Sequence, residues 1–302
     1  MKSGKLPSDV LEKRILSSFR FKREEVLVRS RVGEDCSVLD FGEYACVVST
    51  DPITGASNEI GRLAVHISCN DVAANGVEPF GLLFTILAPE GTTLEVLQDI
   101  VRQAAEEAAS LKVEIIGGHT EITPAVNRIV VSTTAIGRAA KDRVVTSSGA
   151  KPGDCIILTK WAGLEGTAII AHDFEKRLRG RVDDALLESA QAMMGHISVV
   201  KEGMIAGETG ATAMHDVTEG GVLGALWELA EASGVGLRIY RDKIPVRPET
   251  RAICEEFGLN PLKLISSGCM LISCRDGQGM LEALNREGIP ASIIGEVVEE
   301  GR

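Results

Sequence analysis

Four aspartates are surrounded by residue types that suit metal-ion chemistry. Each lies inside or at the end of an apolar segment and beside Gly, Ser, Thr or Asn: Asp35 in GEDCSV, Asp51 in STDPITG, Asp71 in CNDVAANG and Asp216 in HDVTEGG. A buried carboxylate is costly unless a charge compensates it, and no Lys or Arg is common to the four segments. One shared Mg²⁺ would compensate all four and would also bind substrate phosphates. Any one of these aspartates alone is more simply explained as a helix cap or a turn former. The hypothesis of a shared metal ion therefore rests on all four occurring together.

Two glycine-rich segments add a weaker signal for a nucleotide. Gly117-Gly118-His119-Thr120 follows the apolar run VEII, and Thr218-Glu219-Gly220-Gly221 precedes a helical pattern. Glycine turns let backbone N–H groups approach a phosphate, but neither G-x-x-x-x-G-K-[ST] nor G-x-G-x-x-G occurs. His119 and His215 lie in or beside these turns, where a hydrogen-bonding role and a role as a catalytic base both remain open.

Composition excludes several classes of protein. The chain of 302 residues has a net charge of −11 and only 4% aromatic residues, so it is unsuited to nucleic acid or to an anionic membrane surface. No apolar run reaches the roughly 20 residues that span a bilayer, and the start MKSGKLPSDVLEKRIL has no apolar signal-peptide core. The seven cysteines include no CxxC pair. We therefore expect reduced thiols and a cytoplasmic location.

The elements that must position the aspartates alternate between strand-like and helical patterns. YACVVSTD predicts a strand that ends at Asp51, and EIGRLAVHISCNDVAANG predicts an apolar helix that contains Asp71 and ends near Gly76. The pattern restarts at the K-P-G-D turn, so we expect two α+β halves, residues 1–149 and 150–302.

The order of the motifs resembles a known family. GED-C-S-V, STD, ND-x-A-x-x-G-x-x-P, GGHT and HDVTEGG together resemble the AIR synthase (PurM)-like superfamily over about residues 4–298, and HDVTEGG and IPASIIGEV look most like its hydrogenase-maturation branch, HypE. The resemblance implies a PurM-like two-domain α+β fold. In that fold an N-terminal α/β domain pairs its sheet with a second copy in a barrel-like homodimer interface, and an α+β domain follows it.

The resemblance also implies roles for individual residues. ATP and Mg²⁺ would bind in a cleft, with the metal on Asp35, Asp51, Asp71 and Asp216. The nucleotide would contact a set of small and polar residues: Ser49, Thr50, Asn70, Gly117, Gly118, Thr120, Thr218, Gly220 and Gly221. The candidates for proton transfer or further ligation are His119, Glu121 and His215.

Three features depart from the family pattern. Glu34 replaces an Asp, and His119 stands where relatives carry an acid that Glu121 could replace. The chain ends at VVEEGR without the tail whose terminal cysteine, in HypE, carries the carbamoyl group to be dehydrated.

The leading functional hypothesis is an ATP-dependent enzyme that phosphorylates a carbonyl or amide oxygen, acts on a small molecule and has a carbamoyl-transfer or hydrogenase-maturation protein as partner. The alternatives are a kinase resembling thiamine-monophosphate kinase and a non-catalytic nucleotide-binding scaffold.

Overall fold

Two β-sheets organise the chain in the computed structural model, which describes residues 5–54 and 59–299. The first sheet has the order β1-β2-β3-β6-β4-β5, and only its β4–β5 pair is parallel. Its strands are β1 (Val26–Val28), β2 (Ser37–Phe41), β3 (Tyr44–Ile53), β4 (Pro79–Ala88), β5 (Glu114–Ile122) and β6 (Val130–Ala140). The second sheet has the order β8-β10-β7-β11-β9 and is antiparallel throughout. Its strands are β7 (Cys155–Thr159), β8 (Ala211–Asp216), β9 (Gly236–Ile239), β10 (Met270–Cys274) and β11 (Ala291–Val298).

Ten helices connect and cover these sheets within the described ranges. They are α1 (Ser8–Val10), α2 (Ile60–Ala73), α3 (Leu94–Ser110), α4 (Leu164–Asp173), α5 (Glu175–Leu178), α6 (Asp184–Ala192), α7 (Val200–Thr209), α8 (Gly221–Ser233), α9 (Pro248–Phe257) and α10 (Gly277–Arg286). Helix α1 continues into a π-helical turn and a 3₁₀ turn that ends at Ser18. None of the described helices is both long enough and apolar enough to cross a bilayer.

Helix α2 is buried on all sides because it lies between two layers. One side packs on the first sheet and on α3, in one apolar cluster. The other side meets α7 so closely that a Cβ on Gly203 would lie 2.1 Å from the carbonyl oxygen of Ala73. Every residue of α2 except Arg62 is buried. A helix in such a place is apolar all round, which is why Asp71 has no solvent-facing side available to it.

The second sheet is covered on both faces. Leu158 and its neighbours on one face pack on α4 and α8, and Ile157 and its neighbours on the other pack on α7 and α10. The expected fold class, two α+β units in sequence, is therefore confirmed. The division at residue 149/150 stays a prediction, and it falls between the end of β6 and the start of β7.

Candidate metal and nucleotide site

The four predicted aspartates come from four different elements and meet where the two sheets approach each other. Asp51 lies in β3, Asp71 in the last turn of α2, Asp216 at the end of β8 and Asp35 in the loop before β2. The prediction that Asp51 ends its strand was wrong, because β3 continues to Ile53.

Hydrogen bonding and burial show that these carboxylates share one environment. The Ser49 hydroxyl donates to Asp71 Oδ2. Burial, followed by the charges of Asp216, Asp51 and Asp35, raises the pKa of Asp71 well above its usual value. Burial and then Asp35 likewise raise the pKa of Asp51 to about 6 and that of Asp216 to about 7. The cluster therefore holds more negative charge than its own surroundings can stabilise.

Asp216 gives the clearest sign of an external cation. Its side chain is 1% exposed, and within the described residues neither carboxylate oxygen has a hydrogen-bond partner. Ligand atoms of Asp35, His215 and Asp216 lie within 4.8 Å of one another. Buried acids without partners are rare in folded proteins, and carboxylate oxygens are what Mg²⁺ binds. The residues present therefore fit this metal.

His215 positions Asp35. Its Nδ1 lies 3.2 Å from Asp35 Oδ2 and its Nε2 lies 3.1 Å from Glu228 Oε2, with the ring buried. Burial works against its charge, but Asp35 and Glu228 outweigh it and raise the pKa of His215 well above the usual value. An imidazolium with both N–H groups on carboxylates is a poor base, so this geometry favours a positioning role for His215, and its catalytic role stays a prediction.

The turn Thr218–Gly221 has the geometry expected of a phosphate site. Gly220 and Gly221 have φ angles of +86° and +61°, and α8 starts at Gly221 without a side-chain cap. The N–H groups of Gly221 and Leu223 already donate to the carbonyl oxygens of Thr218 and Leu262, so an anion here would be favoured mainly by the positive end of the helix dipole. Because Asp216 immediately precedes this turn, the two sites are adjacent.

Two of the predicted nucleotide ligands have other roles. Asn70 donates from Nδ2 to the carbonyl oxygen of Ile197 and accepts from the backbone N–H of Val199, both at 2.8 Å. Its amide is thus used to attach α2 to the segment before α7. Thr50 points to the opposite face of the first sheet, where it accepts a hydrogen bond from Thr134. The contacts within the chain therefore do not support these two assignments, which stay predictions.

The GGHT segment is a strand, whereas the sequence predicted a turn, and the structure does not bring it to the acids. Gly118 lies in the same cross-strand row as Asp51 but three strands away, or about 14 Å. A Cβ on Gly118 would lie 1.8 Å from the carbonyl oxygen of Phe84, so close packing of β5 on β4 explains this glycine.

The remaining residues of that segment follow the same strand. His119 and Glu121 face away from Asp51, with His119 Nε2 3.4 Å from Glu121 Oε2, both exposed. Gly117 and Thr120 lie in the same edge strand. Within this chain, these residues form no part of the acid cluster.

Sequence reasoning missed Lys5, Glu228 and Glu165. Lys5 Nζ lies 3.5 Å from Glu228 Oε1. Burial disfavours its charge, yet Glu228, Asp35 and Glu219 raise the pKa of Lys5 overall. Lys5 and Glu228 carry no pattern that would have marked them. Glu165, in the run AGLEGTAII, has an acid among glycines and apolar residues, which is the signal that identified the aspartates.

The ordered motifs and the two-sheet α+β fold define the class of protein to which the chain belongs. The chain belongs to the AIR synthase related protein family, whose N-terminal domain matches residues 33–139 and whose C-terminal domain matches residues 151–302.

Individual relatives show which members of the family the chain is similar to. Carbamoyl dehydratase HypE of Rhodobacter capsulatus is 30% identical over 309 residues, covering 98% of this chain and 87% of that protein. Its counterpart from Cupriavidus necator is 32% identical over 271 residues, covering 85% and 74%. The solved HypE–HypF complex contains a chain with 27% identity and a TM-score of 0.78, over 96% of this chain and 93% of that one. The predictions of the superfamily and of an enzyme are confirmed.

Proposed function

We propose that this chain is an ATP- and Mg²⁺-dependent enzyme of the HypE type, which phosphorylates a carbonyl or amide oxygen during hydrogenase maturation. The observation that carries the proposal is the buried Asp216 carboxylate, which has no partner in the described structure although three further aspartates surround it. The similarity to carbamoyl dehydratases supports the reaction class.

The chain's own residues have defined tasks in this proposal. Asp35, Asp51, Asp71 and Asp216 would hold Mg²⁺, which neutralises charge on the phosphates when bound. His215 and Glu228 keep Asp35 in place. The positive end of the α8 dipole would favour phosphate oxygens at the turn before this helix. Orientation and charge stabilisation are most of what phosphoryl transfer requires of a protein.

The test of the proposal is ADP release from Mg-ATP by the purified chain, alone and with an acceptor. A carbamoyl donor with its carbamoyl-transferring partner should stimulate release. Stimulation by thiamine monophosphate would instead support the kinase alternative, and binding of Mg-ATP without turnover would support the scaffold. A hydrogenase-maturation protein is the proposed partner, because HypE is solved in complex with HypF; whether this partner transfers carbamoyl groups is what the assay tests.

We predict a homodimer formed by the open face of the first sheet. Within the described ranges no helix covers this face, which exposes Tyr44 by 44% and Leu83 by 39%. Strand β5 adds a free edge with Ile116 and Ile122 exposed, and such edges are normally protected. Light scattering should give twice the 32.1 kDa chain mass, and Leu83→Glu should weaken the dimer. A monomer mass at micromolar concentration would contradict this.

We also predict that the acceptor is a separate molecule, because the chain's cysteines are poor acceptors. All seven are free thiols, consistent with the proposed cytoplasmic location. Burial raises the pKa of Cys269 and of Cys274 to about 12, so neither is a nucleophile at neutral pH. Mass spectrometry after incubation with the partner, carbamoyl phosphate and ATP should show an unmodified chain. A carbamoyl or thiocyanate adduct on any of these cysteines would refute this.

A further inference from the structure

Glu165 and Ser267 form a second buried polar pair, and each of the two side chains has an unsatisfied polar atom within the described residues. Glu165 is 5% exposed and Ser267 1% exposed. Within the described residues, Glu165 Oε2 and Ser267 Oγ make no hydrogen bond. Ser267 is close enough to Glu165 for its hydroxyl and its backbone to oppose the rise that burial causes in the pKa of that carboxyl. Leaving two such groups unsatisfied costs stability, so their retention points to a ligand that satisfies them.

The pair lies beside the proposed metal and phosphate sites. Ser267 is three residues before Met270, which pairs with Asp216 across β10 and β8, so at most about 10 Å of chain separates Ser267 from Met270. The turn Thr218–Gly221 packs on the segment that leads to Ser267, because a Cβ on Gly221 would lie 2.6 Å from the carbonyl oxygen of Leu264. An acceptor held at the pair would therefore be next to the phosphates.

Hydrogen bonds from neighbouring segments fix the backbone around Glu165 and Ser267. Gly163 N donates to Ser266 Oγ at 2.6 Å, and Gly166 N donates to the carbonyl oxygen of Ile265 at 2.9 Å. The buried Lys160 ammonium donates to the carbonyl oxygen of Gly268 at 2.9 Å and pairs with Glu202 at 2.6 Å. Such a shell holds a catalytic group in one geometry.

The charge around the pair selects the kind of acceptor. No Lys or Arg in the described ranges forms an ion pair with Glu165, and Glu219 is the nearby charge that acts on it. Burial chiefly raises the pKa of Glu165 to about 7, although Ser267 opposes the shift. A carboxyl group of this kind exchanges protons near neutral pH. Because Glu202 pairs with the nearby Lys160 ammonium, no cation in the described part of the chain is left to offset the Glu165 carboxylate, which would repel a phosphate monoester.

We propose that Glu165 and Ser267 form the acceptor subsite of the proposed reaction and that the group they bind is uncharged, with an N–H or O–H proton to lose. The inference rests on the proposed function. The acceptor oxygen forms a bond to the γ-phosphorus, and the bond between this phosphorus and the bridging oxygen breaks. ADP leaves with the electron pair. The proton that the acceptor loses passes to the Glu165 carboxylate, while the Ser267 hydroxyl hydrogen-bonds to the acceptor.

The test uses the full chain, Mg²⁺ and two small acceptors. N-acetyl-S-carbamoylcysteamine is uncharged, and thiamine monophosphate is anionic. Glu165→Gln should lower ADP release with the uncharged probe by about 100-fold or more. Ser267→Ala should weaken calorimetric binding of this probe, measured with a non-hydrolysable ATP analogue present, by about tenfold. Glu249→Gln is the matched control, because Glu249 is a buried glutamate bonded to Ser189 and Arg247; its turnover should equal that of the wild type.

The affinity for the Mg-bound ATP analogue distinguishes a failure of the proposed function from a failure of the acceptor-subsite inference. Failure of the wild type to bind it would refute the proposed function. If the wild type binds it, the inference is overturned by unchanged turnover in Glu165→Gln. It is also overturned by loss of analogue affinity in that variant, by absence of wild-type binding of the uncharged probe, or by preference for thiamine monophosphate.

Discussion

Asp216→Asn is expected to lose Mg²⁺-dependent ATP binding by about 100-fold or more while the metal-free protein becomes more stable. The two effects have one cause. Without a cation the Asp216 carboxylate is buried near Asp35 and Asp51, and residues 5–54 and 59–299 offer it no hydrogen-bond partner. Its ionised form therefore destabilises the fold at neutral pH. An amide keeps the shape and removes the charge, with a gain of about 1–2 kcal/mol. Asp71→Asn and Asp51→Asn should behave in the same way.

Calorimetric titration with a non-hydrolysable ATP analogue in Mg²⁺, together with urea denaturation in chelator, measures both effects. Asp154→Asn is the control, since Asp154 is equally buried but accepts hydrogen bonds from Thr212, Ser273 and the Lys151 backbone. It should destabilise the protein and leave analogue affinity unchanged. Undiminished affinity in all three cluster variants would refute the metal site.

The acid cluster could be predicted because the residue types next to each aspartate in the sequence were sufficient evidence. An acid among apolar and small residues is expensive wherever the chain takes it, so four such positions favoured a shared cation before any contact was known. The same criterion applies to Glu165 in AGLEGTAII. Glu165 was not predicted because it is a glutamate and lies outside the ordered family motifs.

The assignments of Thr50 and Asn70 as nucleotide ligands depend on which face of the element each side chain lies on and on which partner it contacts. Thr50 and Asp51 are adjacent, but side chains alternate along a strand, so only Asp51 faces α2. Asn70 and Asp71 are also adjacent, yet the Asn70 amide is used by the backbone of residues 197 and 199. That segment is more than 120 residues away in sequence, and no local pattern could reveal the contact.

Glycine-rich segments were the weakest evidence for a nucleotide site, because the role of each glycine also depends on contacts that local sequence does not show. Gly220 and Gly221 have positive φ angles in a turn before a helix, as the phosphate hypothesis required. Gly118 serves a different need, since the strand beside it leaves no room for a Cβ. Both needs select glycine, and only the strand pairing separates them.

Metal-free protein is expected to lose stability as the pH rises from about 5 to 8, and Mg²⁺ is expected to restore it. Burial and Asp35 raise the folded pKa of Asp216 to about 7 and that of Asp51 to about 6, whereas an unfolded aspartate titrates near 3.9. Between these values the folded chain holds protons that the unfolded chain has released. Stability therefore falls as pH rises through this window, by roughly 3 kcal/mol once screening of the partly exposed Asp51 is allowed for.

The other titrating groups around the cluster do not reverse this sign. The raised pKa of His215 adds to the loss above about pH 6.5. Burial opposes, but His215 causes, the lowered pKa values of Asp35 and Glu228; their contribution is lost only below about pH 4.5.

Urea denaturation across this range, in chelator and in millimolar Mg²⁺, measures the effect. Asp216→Asn should flatten the chelator profile, because it removes one of the three aspartates whose pKa values are raised. The control Asp154→Asn should keep the slope. A wild-type profile in chelator that rises or stays flat from pH 5 to 8 would mean that these carboxylates are already compensated within the chain, and a cation would then have no charge to neutralise.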